Sequence, residues 1–269
     1  MAVMSSKKCY RCQNRKFYKV RRGKKRCSKC GYEFKPRIIK DTRLSSKQWQ
    51  KIIEWFVLER SGLWTAERMG LGKNLIYKAF NRIRKVMLKD VPGIFSGIVE
   101  VDETYLGGQK KNKTKKQLLK EKIAGKESKR GFGTTKQPVF GILCRSGKVF
   151  ARLVENTKAK DLIPIITKKV KAGTKICSDT YNSYTGLAAK GYVHRTVEHG
   201  EKEYVKGKNH INGLEGFWGY LKRKLAAKGG IRRKYLYLFL SEYVWRYNNR
   251  NLKFDEQVRK LFELLKISG

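Results

Sequence analysis

The fold is decided by one apolar stretch that acids interrupt, Ile98-Val99-Glu100-Val101-Asp102-Glu103-Thr104-Tyr105-Leu106. Its β-branched and aromatic residues predict a strand. Side chains of a strand point alternately to opposite faces, so only one of Asp102 and Glu103 can face the inner side. A carboxylate buried in a sheet is costly unless a cation neutralises it. Asp102 is therefore a candidate metal ligand, and a role in ending an edge strand is the alternative.

Two further acids occupy comparable positions. Asp179 follows the apolar run 175–178, and Glu215 lies in a helical stretch that begins at Asn212. Hard divalent cations prefer oxygen ligands, and two of them can bind the attacking and leaving oxygens of a phosphoryl transfer. Asp102, Asp179 and Glu215 therefore predict a site of metal-dependent phosphoryl transfer. Turn chemistry at Asp179 and a capping box in Asn212-x-x-Glu215 are the alternatives.

The composition predicts a nucleic-acid partner. The 269 residues include 64 Lys and Arg but only 22 Asp and Glu, which gives a formal net charge of +42. Such a charge attracts polyanions strongly. The sequence has no apolar run long enough to span a bilayer and no apolar core typical of a signal peptide near Met1. We therefore expect a protein of the cytoplasm or nucleoid.

The cysteines predict a zinc ribbon in residues 1–40. Four of the six cysteines are paired as Cys9-x-x-Cys12 and Cys27-x-x-Cys30, with fourteen residues between the pairs. This spacing is typical of one tetrahedral Zn²⁺ bound by four thiolates. The basic residues between the pairs are candidate DNA contacts, with solvated surface charge as the alternative. They include Arg21, Arg22, Lys24 and Lys25.

Residues 41–92 predict a helix-turn-helix that binds DNA. A short helix, a turn containing Gly70 and Gly72 and a second, basic helix follow one another in this region. This order is the outline of a helix-turn-helix, and an ordinary helical hairpin is the alternative. The residues expected to face outward on the second helix are Lys73, Asn74, Tyr77, Lys78, Asn81 and Arg82.

Residues 93–230 predict an α/β catalytic domain, a mixed sheet with flanking helices. The apolar runs 98–106, 139–144, 149–155 and 175–178 predict four strands, of which the first three are antiparallel. The run 161–170 predicts a helix between the third and fourth strands. A basic insert at 107–136 is expected to be either a flap that grips DNA or a solvated segment. Its candidate DNA contacts are Lys110, Lys111 and Lys113. Residues 231–269 predict C-terminal helices that pack on the core.

Several motifs in this order resemble those of a known family. They are Val99-Glu-Val-Asp-Glu-Thr-Tyr-Leu-Gly-Gly108, Ser178-Asp-Thr-Tyr-Asn-Ser-Tyr184, His210-Ile-Asn-Gly-Leu-Glu-Gly-Phe-Trp-Gly-Tyr-Leu-Lys-Arg223 and Glu242-Tyr-Val-Trp-Arg-Tyr-Asn-Asn-Arg250. Together with the ribbon and the helix-turn-helix, they resemble the bacterial insertion-sequence DDE transposases of the zinc-ribbon type. Those enzymes are related to the eukaryotic Merlin elements and have an RNase H-like core. The resemblance implies that Asp102, Asp179 and Glu215 are the catalytic acids, with Asn212 as a competing ligand at the third position.

The resemblance also implies a mechanism and partners. Two Mg²⁺ or Mn²⁺ ions would be held by the three acids, a transposon end would be hydrolysed, and the freed 3′-OH would attack target DNA. Lys222 follows Glu215 by seven residues, on the same helix face, and is expected to hold a phosphate. His210 would orient a water or a phosphate. The expected partners are double-stranded DNA, both terminal inverted repeats and target, and further copies of the chain in a homodimer or larger assembly.

Two other functions remain open. An RNase H-like nuclease or resolvase would use the same acids and metals, but it would need neither a ribbon nor a helix-turn-helix. A DNA-binding regulator with an inactive catalytic domain would bind DNA without cutting it. The products formed from labelled DNA distinguish these functions, because only a transposase joins strands.

Overall fold

The structure is a computed structural model that describes most of the chain. The described residues are 8–9, 11–34, 39, 42–107, 114–115, 119, 123, 136–145, 147–179, 184, 186–197 and 212–267. The chain divides into two units, residues 1–86 with 252–269 and residues 87–251. Among the described helices, none combines the length and the apolar composition that a membrane span requires.

The first unit begins with a small antiparallel sheet of three strands. The strands, in the spatial order β1-β2-β3, are β1 (Phe17–Val20), β2 (Lys24–Cys27) and β3 (Glu33–Phe34). The Phe17 ring packs edge-on against the Phe34 ring at 5.4 Å, beside the buried thiols of Cys9 and Cys27. Thiols thus form much of this small core, as expected for a segment with too little apolar content to fold alone.

Helices complete the first unit. They are α1 (Ser46–Val57), α2 (Gly62–Met69), α3 (Lys73–Lys89), which continues into the second unit, and the last helix of the chain (Phe254–Ile267). Ser45 caps α1 in a capping box with Gln48, and Ser61 caps α2 by accepting a hydrogen bond from the Trp64 N–H. Gly70 ends α2 in the left-handed conformation, which a glycine adopts without strain.

The second unit contains a five-stranded mixed sheet. Its strands are β4 (Ile98–Leu106), β5 (Gln137–Cys144), β6 (Val149–Leu153), β7 (Lys175–Asp179) and β8 (Val193–Val197). The spatial order is β6-β5-β4-β7-β8, with β4, β5 and β6 antiparallel and β4, β7 and β8 parallel. This sheet confirms the predicted mixed α/β fold and matches the expected RNase H-like arrangement. The edge strand β8 was not predicted, because its Val-His-Arg-Thr-Val sequence lacks a clear apolar pattern.

Helices cover both faces of this sheet. They are α4 (Ala159–Lys169), α5 (Asn212–Ala226) and α6 (Leu236–Asn248). The last helix of the chain, Phe254–Ile267, is called α7. On one face Val99 and Val101 share a core with Leu162 and Ile166 of α4. On the other face the side chains of α5 and α6 form a second core with Leu106.

The last helix differs from the prediction that all C-terminal helices pack on the catalytic core. Helix α6 packs on the sheet as expected, whereas α7 belongs to the first unit and contacts α1. Leu261 and Leu265 of its apolar stripe are fully buried, whereas Val258 and Phe262 are half-buried. A stripe of this kind shows that a helix packs on a core, but it does not identify which core.

Candidate functional site

Two of the predicted acids are brought to one face of the sheet by the parallel pairing of β4 and β7. Glu100 pairs with Cys177, so the same register continued by two residues places Asp102 beside Asp179. Asp102 Oδ2 accepts a hydrogen bond of 2.9 Å from the indole Nε1 of Trp218, which shows that this face is the one covered by α5.

The charges of the three acids interact. The pKa of Asp102 is raised to about 6, chiefly by burial and in part by the nearby charges of Asp179 and Glu215. The hydrogen bonds from the Glu103 backbone and from Trp218 act in the opposite direction. Glu215 lies in the first turn of α5, one turn before Trp218. The fold therefore places Asp102, Asp179 and Glu215 within one electrostatic neighbourhood, where a bound cation would relieve their repulsion.

Glu100 holds the start of α5 against the sheet. It is buried, its Oε2 accepts a hydrogen bond of 2.8 Å from the Leu214 N–H, and Arg145 Nε lies 3.4 Å from its Oε1. A Cβ at Gly213 would lie only 2.9 Å from Glu100 Oε2, so this approach requires a glycine. The sequence analysis missed this role. The available signal was that Glu100 lies two residues before Asp102, and therefore on the same face of the strand.

Gly141 makes room for Trp218. It is the strand partner of Asp102, and a Cβ there would lie 2.5 Å from the indole Cζ2 of Trp218. The ring can therefore cross β5 and reach Asp102. A glycine inside a strand is a recognised sign of such a close approach, so the sequence did contain this signal.

Glu103 faces the opposite side of the sheet, as the alternation of the strand predicts. Its Oε1 accepts a hydrogen bond of 2.7 Å from the hydroxyl of Tyr184, which is fully buried. The pKa of Glu103 is raised to about 8, chiefly by burial and in part by the charges of Asp102 and Asp179. The Tyr184 hydroxyl thus ties the segment after Asp179 to the strand that carries Asp102.

The other predicted catalytic residues lie on α5 or outside the described residues. Asn212 begins the helix, and Lys222 follows Glu215 by about two turns; both are exposed. His210 lies outside the described residues, as do the candidate DNA contacts of the insert, Lys110, Lys111 and Lys113.

The four predicted zinc ligands meet at one point. The ligand atoms of Cys9, Cys12, Cys27 and Cys30 all lie within 4.8 Å of one another, and the thiols are free. Among the described residues, these four side chains form a group that could hold a metal ion. Asn14 Nδ2 lies 3.5 Å from the Cys27 Sγ and donates to Ser28, which orients the site from outside.

The basic residues predicted between the cysteine pairs lie on the β1–β2 hairpin. Arg21, Arg22 and Lys24 are exposed, and Lys25 is half-buried. Lys24 pairs with Glu33 at 3.7 Å, and the Lys25 ammonium lies 5.4 Å from the centre of the Phe17 ring. The two arginines are therefore the more accessible of the four cations.

Four of the six residues predicted to face outward on α3 do so. Lys73, Asn74, Tyr77 and Lys78 are exposed. Asn81 and Arg82 are half-buried instead, and Asn81 Oδ1 accepts a hydrogen bond of 3.1 Å from Arg84. Asn81 and Arg82 are thus less accessible than the prediction expects.

The comparison with protein families identifies the chain. The family model of the ISXO2-like transposase domain matches residues 94–248, which include all three acids. The chain belongs to this family. The resemblance to insertion-sequence transposases is thereby confirmed.

This transposase also resembles individual proteins. It is 34% identical over 119 residues to an uncharacterised transposase-like protein of Haemophilus influenzae, across 44% of this chain and 94% of that protein. A simian T-cell lymphotropic virus intasome in complex with PP2A regulatory subunit B56 gamma has a TM-score of 0.35, with 11% identity over 75% of this chain and 69% of that chain. A pre-cleavage Mos1 transpososome has a TM-score of 0.26, with 11% identity over 84% and 82% of the two chains.

Proposed function

We propose that this transposase binds the ends of its own transposon and joins them to target DNA by two-metal phosphoryl transfer. The observation that carries the proposal is the position of Asp102 beside Asp179 on parallel strands, with Glu215 close enough to raise the pKa of Asp102. Three carboxylates concentrated in a chain of net charge +42 indicate a site for cations.

The donor set fits two hard divalent cations, Mg²⁺ or Mn²⁺. All three candidate ligands are carboxylates, whose oxygens are the donors that these cations prefer. As the family resemblance implies, Asp102 would contribute to binding both ions, while Asp179 and Glu215 would each hold one ion. When bound, the ions would activate the attacking oxygen and stabilise charge on the leaving oxygen.

The residues around the acids set the geometry of the site. The Trp218 indole orients Asp102 through its hydrogen bond of 2.9 Å. Glu100 fixes the first turn of α5 and thereby the position of Glu215. Lys222 would hold a DNA phosphate two turns further along the same helix. Asn212 is the alternative third ligand, and His210 would orient a water or a phosphate.

The N-terminal modules would recognise the transposon ends. The four thiols fit one structural Zn²⁺, because they converge at one point and the segment has little other core. We propose that residues 1–40 and the helix-turn-helix within 41–92 bind terminal inverted repeats, while residues 93–230 act on the DNA. Two ends must be joined to one target, so a homodimer or larger assembly would form on DNA.

A strand-transfer assay tests this function. Labelled duplexes from the flanks of the gene would be incubated with the protein in Mg²⁺ or in EDTA. We expect joined products only with Mg²⁺, none with Asp102→Asn, and products again with Glu103→Gln, which makes the same carboxyl-to-amide change on the opposite face. Cleavage without joining would favour the nuclease, and binding without cleavage would favour the regulator.

The third ligand needs a separate comparison. If Glu215 is the ligand, Glu215→Gln should abolish joining, while Asn212→Ala should leave most of it. The reverse result would assign the position to Asn212. End binding, measured in parallel without metal, should be unchanged in both variants.

A further inference from the structure

We infer that Arg60 and Arg68, whose guanidinium groups lie over the Trp64 ring, contact the DNA phosphate backbone at helix α2. The contact deepens the proposed function, because it rests on DNA being the partner of the helix-turn-helix. It adds a site on the first helix of that motif, outside the ribbon and outside the outward face of α3.

Arg60 precedes Trp64 in the sequence and Arg68 follows it, and both guanidinium groups lie near the Trp64 ring. The guanidinium carbon of Arg60 lies 5.4 Å from the centre of the Trp64 ring, and that of Arg68 lies 5.6 Å from it. The Trp55 ring meets Trp64 edge-on, at 5.1 Å and 78°. Trp64 is half-buried while both arginines are exposed. The ring is thus fixed by its neighbour, and it holds two cations at the surface.

The backbone that carries these residues is also fixed. The Arg60 N–H donates to the Trp55 carbonyl at 2.9 Å, which closes the turn after α1. Ser61 then caps α2 through the Trp64 N–H at 3.1 Å. An arginine held by both its backbone and a ring has less conformational freedom to lose on binding, so more of its interaction energy is available for the ligand.

The charge of both arginines is available to a ligand. In the described part of the chain, the ion pairs do not include Arg60 or Arg68. A neighbouring cation differs in this respect, since Lys51 lies 5.3 Å from the centre of the Trp55 ring but also 3.3 Å from Glu54 Oε2. A guanidinium held near a ring by cation–π attraction keeps N–H groups that can donate to a phosphate.

The position on α2 favours DNA backbone as the ligand. In a helix-turn-helix the second helix enters the major groove while the first crosses the backbone. A Cβ at Gly62 would lie 2.6 Å from the Tyr77 ring, so the start of α2 adjoins the outward face of α3. Arg60 is two residues from Gly62. DNA seated on α3 would therefore have its phosphates near Arg60, and the net charge of +42 makes a polyanion the matching partner.

The salt dependence of DNA binding tests the inference. The full-length, zinc-loaded protein would be titrated against a labelled transposon-end duplex and an unrelated duplex of equal length, at several salt concentrations. If two phosphate contacts are lost in Arg60→Gln/Arg68→Gln, the slope of log K against log salt should fall by about 1.8, since each contact contributes about 0.9. The fall should be equal on both duplexes, because phosphates carry no sequence information.

Matched variants separate the effect of the two arginines and of Trp64 from a general loss of charge. Lys47→Gln/Arg259→Gln removes two exposed charges of the same unit and should leave the slope nearly unchanged. Trp64→Leu keeps both charges, so it should weaken binding while retaining most of the slope. Thermal melting of each variant verifies that it is folded.

Three outcomes are decisive. An unchanged slope in Arg60→Gln/Arg68→Gln, or an equal fall in the control, overturns the inference. A changed sedimentation mass with an unchanged slope would assign the surface to a second copy of the chain, and it also overturns the inference. If the slope falls but no strand joining occurs in Mg²⁺, the DNA contact stands while the proposed transposition fails.

Discussion

Glu100→Ala should destabilise the second unit by about 3 kcal/mol. The substitution leaves the Leu214 N–H without its acceptor, which costs about 1–3 kcal/mol for a buried group. It also removes the carboxylate beside Arg145, and breaking a buried ion pair costs about 3–5 kcal/mol. The Arg145 side chain is 22% exposed, so water recovers part of the ion-pair loss, and both costs arise from one carboxylate and are not additive. The total is therefore about 3 kcal/mol, below the sum of the two separate costs.

Hydrogen exchange at Leu214 measures this effect locally. A loss of about 3 kcal/mol corresponds to faster exchange by about two orders of magnitude. The double variant Glu100→Ala/Arg145→Ala removes both charges and should lose less than the sum of the single variants. Strictly additive losses, or an unchanged exchange rate at Leu214, would refute the idea that Glu100 anchors α5. Weaker Mg²⁺ binding by the single variant would further link the anchor to Glu215.

Three other changes have defined outcomes. Gly141→Ala should displace Trp218, which lowers the stability by about 1–3 kcal/mol and weakens Mg²⁺ binding. Near-ultraviolet circular dichroism measures the change at Trp218, and calorimetry measures Mg²⁺ binding. If neither measurement changes, the prediction is contradicted. Glu103 keeps its proton up to about pH 8 in the folded state but only to about pH 4.5 in the unfolded chain. The protonated Glu103 therefore stabilises the folded state at low pH, and this stabilisation is lost as the pH rises from about 4.5 to about 8. Glu103→Gln should therefore gain stability relative to the parent between pH 5 and pH 8 in urea titrations, and a parallel pH dependence would count against the shift. Removing zinc with a chelator should expose residues 8–34 to proteolysis while the second unit melts unchanged, because the small core there consists largely of thiols.

The strands with strong apolar patterns were predictable from the sequence. The strand 98–106 has the same bounds in the structure as in the prediction, because nine residues of marked strand character leave little freedom. The convergence of the four cysteines followed equally well from their spacing. In both cases the deciding information is local in the chain.

The missed features depend on contacts between distant segments. Glu100 resembles any other acid of the strand until α5 is placed on the sheet. The side chain of Asn248 exchanges hydrogen bonds of 2.7 and 2.8 Å with the Val149 backbone and so occupies the edge of β6, which no local pattern shows. Likewise, the apolar stripe of α7 predicts that this helix packs on a core, but it does not identify the core.

The pairing of β4 with β7 has a consequence for the time at which the site forms. Asp102 and Asp179 meet only when two strands distant in the chain have paired, and Glu215 joins them only after α5 has docked. During synthesis at about 5–20 residues per second, on the order of ten seconds pass between the addition of Asp102 and that of Glu215. Contacts of such long range also form late in folding. Residues 1–86, which we propose bind DNA, are therefore made first, and the acids remain apart until most of this sequence has been made.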